Sequence, residues 1–163
     1  MAKLLAYGSL MWDNALATYT GVPVRVKGFR RAFVGQNTTR WGSPERPCPQ
    51  VGLVPGEACE AVLFDLPRAE RRHILHNLRQ REGTRARTVR FQLDDGRPVR
   101  ARSFLPATGA REWPDLEEVV EALNAARGVV GTGAEYIRTI VHAMELWRID
   151  DPLVREVWQE VRS

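Results

Sequence analysis

The chain carries two hydrophobic patterns, one typical of strands and one typical of helices. Residues 3–7 form a short apolar run that predicts a buried strand. Residues 22–34 alternate apolar and basic side chains, which predicts one long bent strand or two strands joined at Gly28. Further strands are predicted at 50–54 and 60–66.

Helical spacing dominates the second half of the chain and also appears once before it. Pro67 suits the first turn of a helix, where its missing N–H needs no partner, and Gly83 suits the end. The predicted helices are 67–80, a helix that opens at Pro114 and ends before Gly128, one at 136–144, and a last one capped by Asp150 or Asp151. Residues 87–93 and 97–105 predict a hairpin around Asp94-Asp95-Gly96.

The order of these elements indicates the fold class. Strands come first, then a helix, a hairpin and three helices. No βαβ alternation is present, so a doubly wound parallel sheet is disfavoured. We predict an α+β fold in which a strongly curved or closed sheet carries helices on its outside. A chain of 163 residues can bury one sizeable core, so a single domain over 1–163 is expected.

Composition narrows the class of protein. Hydrophobic residues make up 44% of the chain and charged residues 27%, as is ordinary for a globular protein. No apolar run approaches the roughly 20 residues that span a bilayer. The first residues lack the zones of a signal peptide, so a cytoplasmic protein without membrane attachment is expected. Cys48 and Cys59 form no CxxC pair, and His73 and His76 have no third ligand nearby, so neither a disulfide nor a metal site is predicted.

The charge pattern bears on nucleic-acid binding. The net charge is +4, and all 24 basic residues except Lys3 and Lys27 are arginine. Arginine binds carboxylate and phosphate as a planar fork, which raises the question of an anionic partner. The basic residues are interleaved with 20 acidic ones and form no single stripe. A mixed, solvated surface is therefore favoured over a nucleic-acid-binding face.

The sharpest local signal is the tetrad Tyr7-Gly8-Ser9-Leu10, where the first strand stops. Gly8 leaves room for a ligand to approach the main chain, and Ser9 adds a hydroxyl. If the amides of residues 8–10 point the same way, they form a small anion-binding concavity suited to a carboxylate or phosphate. Taken by itself, the tetrad is better explained as an ordinary strand-to-loop turn.

Glu82 is the acidic residue whose position suggests acid/base chemistry. It lies at a predicted helix-to-strand junction beside Gly83. The partial negative charge at the carboxyl end of a helix disfavours an ionised carboxylate, whereas Arg81 and Arg85 favour one. On position alone, a solvated glutamate paired with arginine is the simpler interpretation. The chain has no GxxxxGK[ST], GxGxxG or GxSxG motif, so phosphoryl transfer, dinucleotide binding and α/β-hydrolase chemistry are unsupported.

Five segments along the chain form an ordered set of sequence motifs. They are 6–12 (AYGSLMW), 26–33 (VKGFRRAF), 42–47 (GSPERP), 78–82 (LRQRE) and a C-terminal pair at 135–136 (EY) and 149–153 (IDDPL). Taken together and in this order, they resemble the γ-glutamylcyclotransferase superfamily, and most of all its glutathione-specific ChaC branch. The tetrad alone would be a weak signal, whereas the ordered set covers nearly the whole chain.

The resemblance implies a compact fold with a central mixed β-barrel, surrounding helices, and a reaction without metal or organic cofactor. In that reaction the α-amine of a γ-glutamyl amide attacks its own γ-carbonyl carbon. The products are 5-oxoproline and a free amine, which is Cys-Gly when the substrate is glutathione. The resemblance assigns the acid/base role to Glu82 and substrate binding to the tetrad. Arg40, Arg30 and Tyr136 are further candidates for contacts with the substrate.

Three departures from the family pattern bear on the substrate. Residues 83–86 lack the aromatic side chain that often follows the catalytic glutamate. Trp41 stands where an arginine usually precedes the glycine of the PERP segment, and Cys48 stands where glycine is common. Two alternative functions therefore stay open: a γ-glutamyl-amine or γ-glutamyl-amino-acid cyclotransferase, and a catalytically idle γ-glutamyl-binding protein. A nucleic-acid-binding domain is a third alternative and is less favoured. A monomer or a dimer is expected.

Overall fold

The structure of the protein is a computed structural model that describes residues 2–162, with the side chain of Arg162 excluded. The chain forms two compact units, and each contains two segments of sequence. Unit 1 consists of 2–30 and 54–105, and unit 2 consists of 31–53 and 106–162. The first and last residues of the predicted domain 1–163 lie outside the described residues, and the expectation of one domain stays a prediction.

Five strands close into a mixed barrel. They are β1 (Ala2–Ala6), β2 (Gly21–Asn37), β3 (Cys48–Leu66), β4 (Arg87–Gln92) and β5 (Pro98–Ser103), in the spatial order β1-β3-β2-β4-β5. In β1, Leu4 lies opposite Phe64 of antiparallel β3 and opposite Arg102 of parallel β5. Closure leaves no unpaired edge strand. The predicted α+β class with a closed sheet is confirmed.

The two long strands β2 and β3 are each continuous, which was one of two possibilities for residues 22–34 and differs from the prediction for residues 50–66. β2 is continuous, and Gly28 lies within it at a φ of 100°. β3 is also continuous, so the prediction of separate strands at 50–54 and 60–66 is wrong. The Pro-Gly pair at 55–56 reads as a turn, yet it stays in the strand. There the glycine serves close packing, since a Cβ on it would lie 2.4 Å from Cγ of Arg30.

The helices match the four predicted from spacing, with different ends. They are α1 (Arg68–Glu82) in unit 1, and α2 (Leu116–Ala125), α3 (Gly133–Trp147) and α4 (Pro152–Arg162) in unit 2. The second begins after Pro114 because Asp115 is its N-cap and accepts a 2.8 Å hydrogen bond from the Glu118 amide. For the last helix Asp151 is the capping residue, since its Oδ1 accepts from the Val154 amide at 3.1 Å.

The β4–β5 hairpin is present as predicted, with Val89 opposite Ala101 and Gly96 at a φ of 83° in the turn.

Each unit has its own apolar interior. In unit 1 the fully buried side chains include Leu4, Leu5, Val26, Val62, Leu66 and Leu78. In unit 2 the helices α2, α3 and α4 pack on one another around Leu123, Ile137, Ile140, Val154 and Val157. Across residues 2–162, none of the helices is both long and apolar enough to cross a membrane.

Candidate active site

The tetrad forms the transition from β1 to a short 3-10 helix. β1 ends at Ala6, and Ser9–Trp12 makes one helical turn in which the Met11 amide donates to the Gly8 carbonyl at 3.0 Å. The hydroxyl of Tyr7 donates a hydrogen bond to the carbonyl of Phe104, in the segment that follows β5. The first turn of any helix leaves main-chain N–H groups without partners one turn earlier. The tetrad is therefore a bend held by hydrogen bonds on both sides, and the binding of an anion by its main-chain N–H groups stays a prediction.

The space beside Gly8 is open although the residue itself is buried. A Cβ built on Gly8 would meet no atom within 4 Å outside its chain neighbours. Glycines in tight contacts show the opposite behaviour; at Gly42, for example, a Cβ would lie 2.5 Å from the carbonyl oxygen of Asn37. The structure thus leaves open space beside the main chain at Gly8, and use of that space by a ligand stays a prediction.

Glu82 occupies the position that the sequence predicted for it. It is the last residue of α1, and its side chain is half-buried. Gly83 ends the helix at a φ of 70°, and its amide donates to the Arg79 carbonyl at 2.9 Å. This left-handed cap is why a glycine stands there, since residues with Cβ disfavour that conformation. The turn of the chain after Glu82 is therefore fixed.

An ion pair connects the surroundings of Glu82 with those of the tetrad. Nη2 of Arg81, the residue before Glu82, contacts Oδ2 of Asp13, the residue that follows the 3-10 helix. The side chains are 33% and 13% exposed, respectively. The structure therefore ties the end of α1 to the segment carrying the tetrad within unit 1.

Tyr136 packs against Trp41 in unit 2, and Arg40 precedes that tryptophan in the chain. The Tyr136 ring lies 5.9 Å from that of Trp41, centroid to centroid, and its hydroxyl accepts a 2.9 Å hydrogen bond from the Val51 amide. The Arg40 carbonyl accepts from the Val130 amide at 2.8 Å. Contact of Arg40 or Tyr136 with a substrate stays a prediction.

Cys48, one of the departures from the family pattern, is a core residue. Its side chain is fully buried, and burial raises the pKa of its thiol to about 12. A thiol with so high a pKa is neutral at pH 7 and is a poor nucleophile. Cys48 is therefore a neutral thiol packed in the core.

Unit 2 also contains a surface pocket of about 540 Å³. Its walls include Gln36 of β2, Gln50 of β3, Trp113 and Glu118. None of the residues that the sequence assigned to the site lines this pocket.

Asp13 was missed by sequence reasoning. It directly follows a motif segment, but an aspartate after a turn is ordinary, and its partner Arg81 lies far away in the chain. Only folding reveals the pair. Among residues 2–162 no cluster of three or more His, Cys, Asp or Glu side chains has the arrangement of a metal site.

Comparison with solved structures places the barrel in a known class. The fold matches a yeast γ-glutamyl cyclotransferase specific to glutathione with a TM-score of 0.85, over 99% of this chain and 95% of that one, at 16% identity. A structure named γ-glutamyl cyclotransferase matches with a TM-score of 0.51 at 14% identity. At these identities the likeness concerns the fold alone.

Sequence comparison then gives the family. A model of the family described as ChaC-like protein matches residues 3–163, and the chain belongs to this family. The glutathione-specific γ-glutamylcyclotransferase of Escherichia coli is 30% identical over 141 residues, which are 82% of this chain but 61% of that protein. γ-Glutamylcyclotransferase 2-3 of Arabidopsis thaliana is 24% identical and is covered to 87% of its length. The predicted family membership is confirmed.

Proposed function

We propose that the protein is a γ-glutamylcyclotransferase with glutathione as its leading substrate. The observation that carries the proposal is the link within unit 1 between the two halves of the predicted site. Asp13 and Arg81 form an ion pair, and they flank the tetrad segment and Glu82, respectively. The family match and the names of the E. coli and yeast relatives supply the substrate class.

The proposed reaction is an internal aminolysis. The α-amine of the γ-glutamyl group attacks the γ-carbonyl carbon, a new C–N bond closes the five-membered ring, and the original amide C–N bond breaks. Glutathione thus gives 5-oxoproline and Cys-Gly, without added water or cofactor. Because nucleophile and electrophile belong to one molecule, holding the bent conformer contributes much of the rate.

In the proposed mechanism Glu82 transfers the proton and the tetrad binds the substrate. Glu82 accepts a proton from the attacking amine and returns it to the leaving nitrogen. The tetrad receives the substrate in the open space at Gly8. Its main-chain N–H groups and the Ser9 hydroxyl stabilise the substrate carboxylate and the negative charge that develops on the γ-carbonyl oxygen. The mechanism requires Ser9 and Glu82 to face one cavity.

The experiment is a direct assay of 5-oxoproline from the purified protein. We expect glutathione to be consumed, and we expect Glu82→Gln to lower kcat by at least about 100-fold, because the amide cannot carry the proton. Glu57→Gln, which changes an exposed glutamate of β3, is the matched control and should keep wild-type kinetics. If Glu82→Gln forms 5-oxoproline as fast as the wild type, the assigned mechanism is wrong.

A substrate panel separates the remaining alternatives. γ-Glutamyl-alanine and γ-glutamyl-ε-lysine represent the amino-acid- and amine-directed enzymes. Faster turnover of either one than of glutathione would move the protein to that class. Binding of glutathione by calorimetry without any product would indicate an idle binding protein. A cytoplasmic location stays a prediction.

A further inference from the structure

The Asp13–Arg81 ion pair joins the two chain segments that carry the parts of the proposed site. Asp13 follows the 3-10 helix Ser9–Trp12, and Arg81 lies in the last turn of α1, directly before Glu82. The contact joins Oδ2 of the aspartate to Nη2 of the arginine. Each member is thus coupled through the main chain to one functional segment.

One carboxylate oxygen and the main-chain carbonyl of Asp13 each accept a hydrogen bond from a nearby amide. Its Oδ1 accepts a 2.9 Å hydrogen bond from the Ala15 amide, and its carbonyl accepts from the Leu16 amide at 2.9 Å. Leu16 is in turn buried, at 1% exposed. Asp13 therefore sits in a locally fixed turn, and its second oxygen is left for the contact with Arg81.

The arginine side of the contact is equally constrained. Nη2 of Arg81 exposes less than 1 Å² to solvent and has no hydrogen-bond partner among the described residues, so its contact with Asp13 is an ion pair without hydrogen-bond geometry. The helix end that carries Arg81 is closed by the left-handed cap at Gly83. The pair is partly shielded, since its side chains are 33% and 13% exposed, so loss of one charge costs more here than in a fully exposed pair.

A second contact supports the same docking of this segment along α1. The hydroxyl of Tyr19 bonds to the carboxylate of Glu70, in the first turn of the helix, and this bond raises the pKa of Tyr19. Residues 13–19 are therefore fastened to the beginning of α1 and to its end. The Tyr19–Glu70 contact is exposed and lies at the other end of α1. The Asp13–Arg81 ion pair is therefore the contact next to Glu82.

We infer that Asp13 and Arg81 are positioning residues that set the distance of the Glu82 carboxylate from the tetrad. This inference rests on the proposed function. Proton transfer needs donor and acceptor within hydrogen-bond reach, and a displacement of about 1 Å costs on the order of 100-fold in rate. Substrate binding by the tetrad does not require Glu82 to be placed so strictly. Loss of the pair should therefore act on kcat far more than on KM.

The first test uses variants that remove the charges singly and together. Asp13→Asn keeps an oxygen that can accept from Ala15 and loses only the charge, and Arg81→Gln removes the other partner. We expect each to lower kcat at least about ten-fold, with KM within about two-fold of the wild type and a lowered Tm. Arg81→Lys keeps the charge without the planar fork and should fall between them and the wild type.

The double variant Asp13→Asn/Arg81→Gln separates positioning from stability. It leaves no unpaired shielded charge, so its Tm should recover towards the wild type. If the pair positions Glu82, kcat stays low in spite of that recovery. Asp65→Asn is the matched control, because it breaks the Lys3–Asp65 pair of the same unit at 2.6 Å, away from the proposed site, and it should keep wild-type kcat.

The outcomes distinguish this inference from the proposed function. A wild type that releases no 5-oxoproline from glutathione or either panel substrate overturns the proposed function and the positioning role with it. An active wild type with unchanged kcat in Asp13→Asn and Arg81→Gln overturns the positioning role alone. So does recovery of kcat together with Tm in the double variant. Low kcat with recovered Tm supports the inference.

Discussion

Gly8 and Gly42 are both buried, yet the two glycines serve opposite purposes. A Cβ at Gly42 would lie 2.5 Å from the Asn37 carbonyl oxygen, so this glycine permits a close main-chain contact. A Cβ at Gly8 would meet nothing within 4 Å, so the missing side chain leaves a space and not a contact. In the proposed function the substrate uses that space.

Gly8→Ala tests this use of the space. We expect the variant to fold with a Tm close to that of the wild type and to lose at least about ten-fold in kcat/KM, because its methyl group occupies the room next to the main-chain donors. Gly42→Ala is the comparison and should lower the free energy of unfolding by about 2 kcal/mol through overpacking. Kinetics of Gly8→Ala equal to those of the wild type would show that no substrate atom enters this space.

At the scale of elements, Asp151 has two roles at the start of α4. Its Oδ1 caps the helix through the Val154 amide, and its Oδ2 lies 2.5 Å from Nη1 of Arg31 in β2. The Arg31 side chain is 1% exposed, so the Asp151 carboxylate compensates a charge that is shielded from water. One residue therefore ends a loop, starts a helix and pairs a buried arginine inside unit 2.

Asp151→Asn separates the cap from the charge, because asparagine caps a helix as well as aspartate does. We expect a loss of about 3 kcal/mol in the free energy of unfolding, because a buried cation loses the charge of a carboxylate that contacts it. Asp150→Asn changes the neighbouring residue, whose contact with Arg155 is exposed, and should alter stability by less than about 0.5 kcal/mol. Urea unfolding of both variants makes the measurement, and equal losses would contradict this account.

At the scale of the whole molecule, Cys48 links proton binding to stability. Its pKa is about 12 in the folded protein, against a reference value of 9.0. As the pH rises above 9 the unfolded chain loses the thiol proton while the folded chain keeps it. The stabilisation is therefore complete below about pH 9 and is lost as the pH rises towards 12.

The alkaline loss can be measured by comparing two variants. In Cys59→Ala, where Cys48 is the one remaining thiol, this group should remove about 1.4 kcal/mol of stability between pH 8 and pH 10. In the double variant Cys48→Ala/Cys59→Ala that component is absent, so the difference between the two pH profiles isolates it. Parallel profiles from urea unfolding would mean that the thiol ionises as readily in the folded state as in the unfolded chain.

Local sequence signals predicted much of the fold and the position of the candidate site residues. Gly83 stops α1 because a left-handed cap favours glycine. Pro67 precedes α1, and the tetrad breaks the chain after β1, as their residue types indicate. The same kind of reasoning failed between the predicted strands 50–54 and 60–66, where β3 continues through a Pro-Gly pair and Gly56 packs closely on Arg30.

Patterns along the chain were sufficient to predict most helices and strands and the two segments proposed to act on the substrate, because each depends on residues close together in the chain. The order of the motif segments was sufficient to predict the family. The contact of Asp13 with Arg81, the burial of Cys48 and the open space at Gly8 are visible only in the folded chain. An ion pair, the burial of a thiol and an empty volume each depend on atoms from distant parts of the chain. No local pattern specifies where those atoms come to lie.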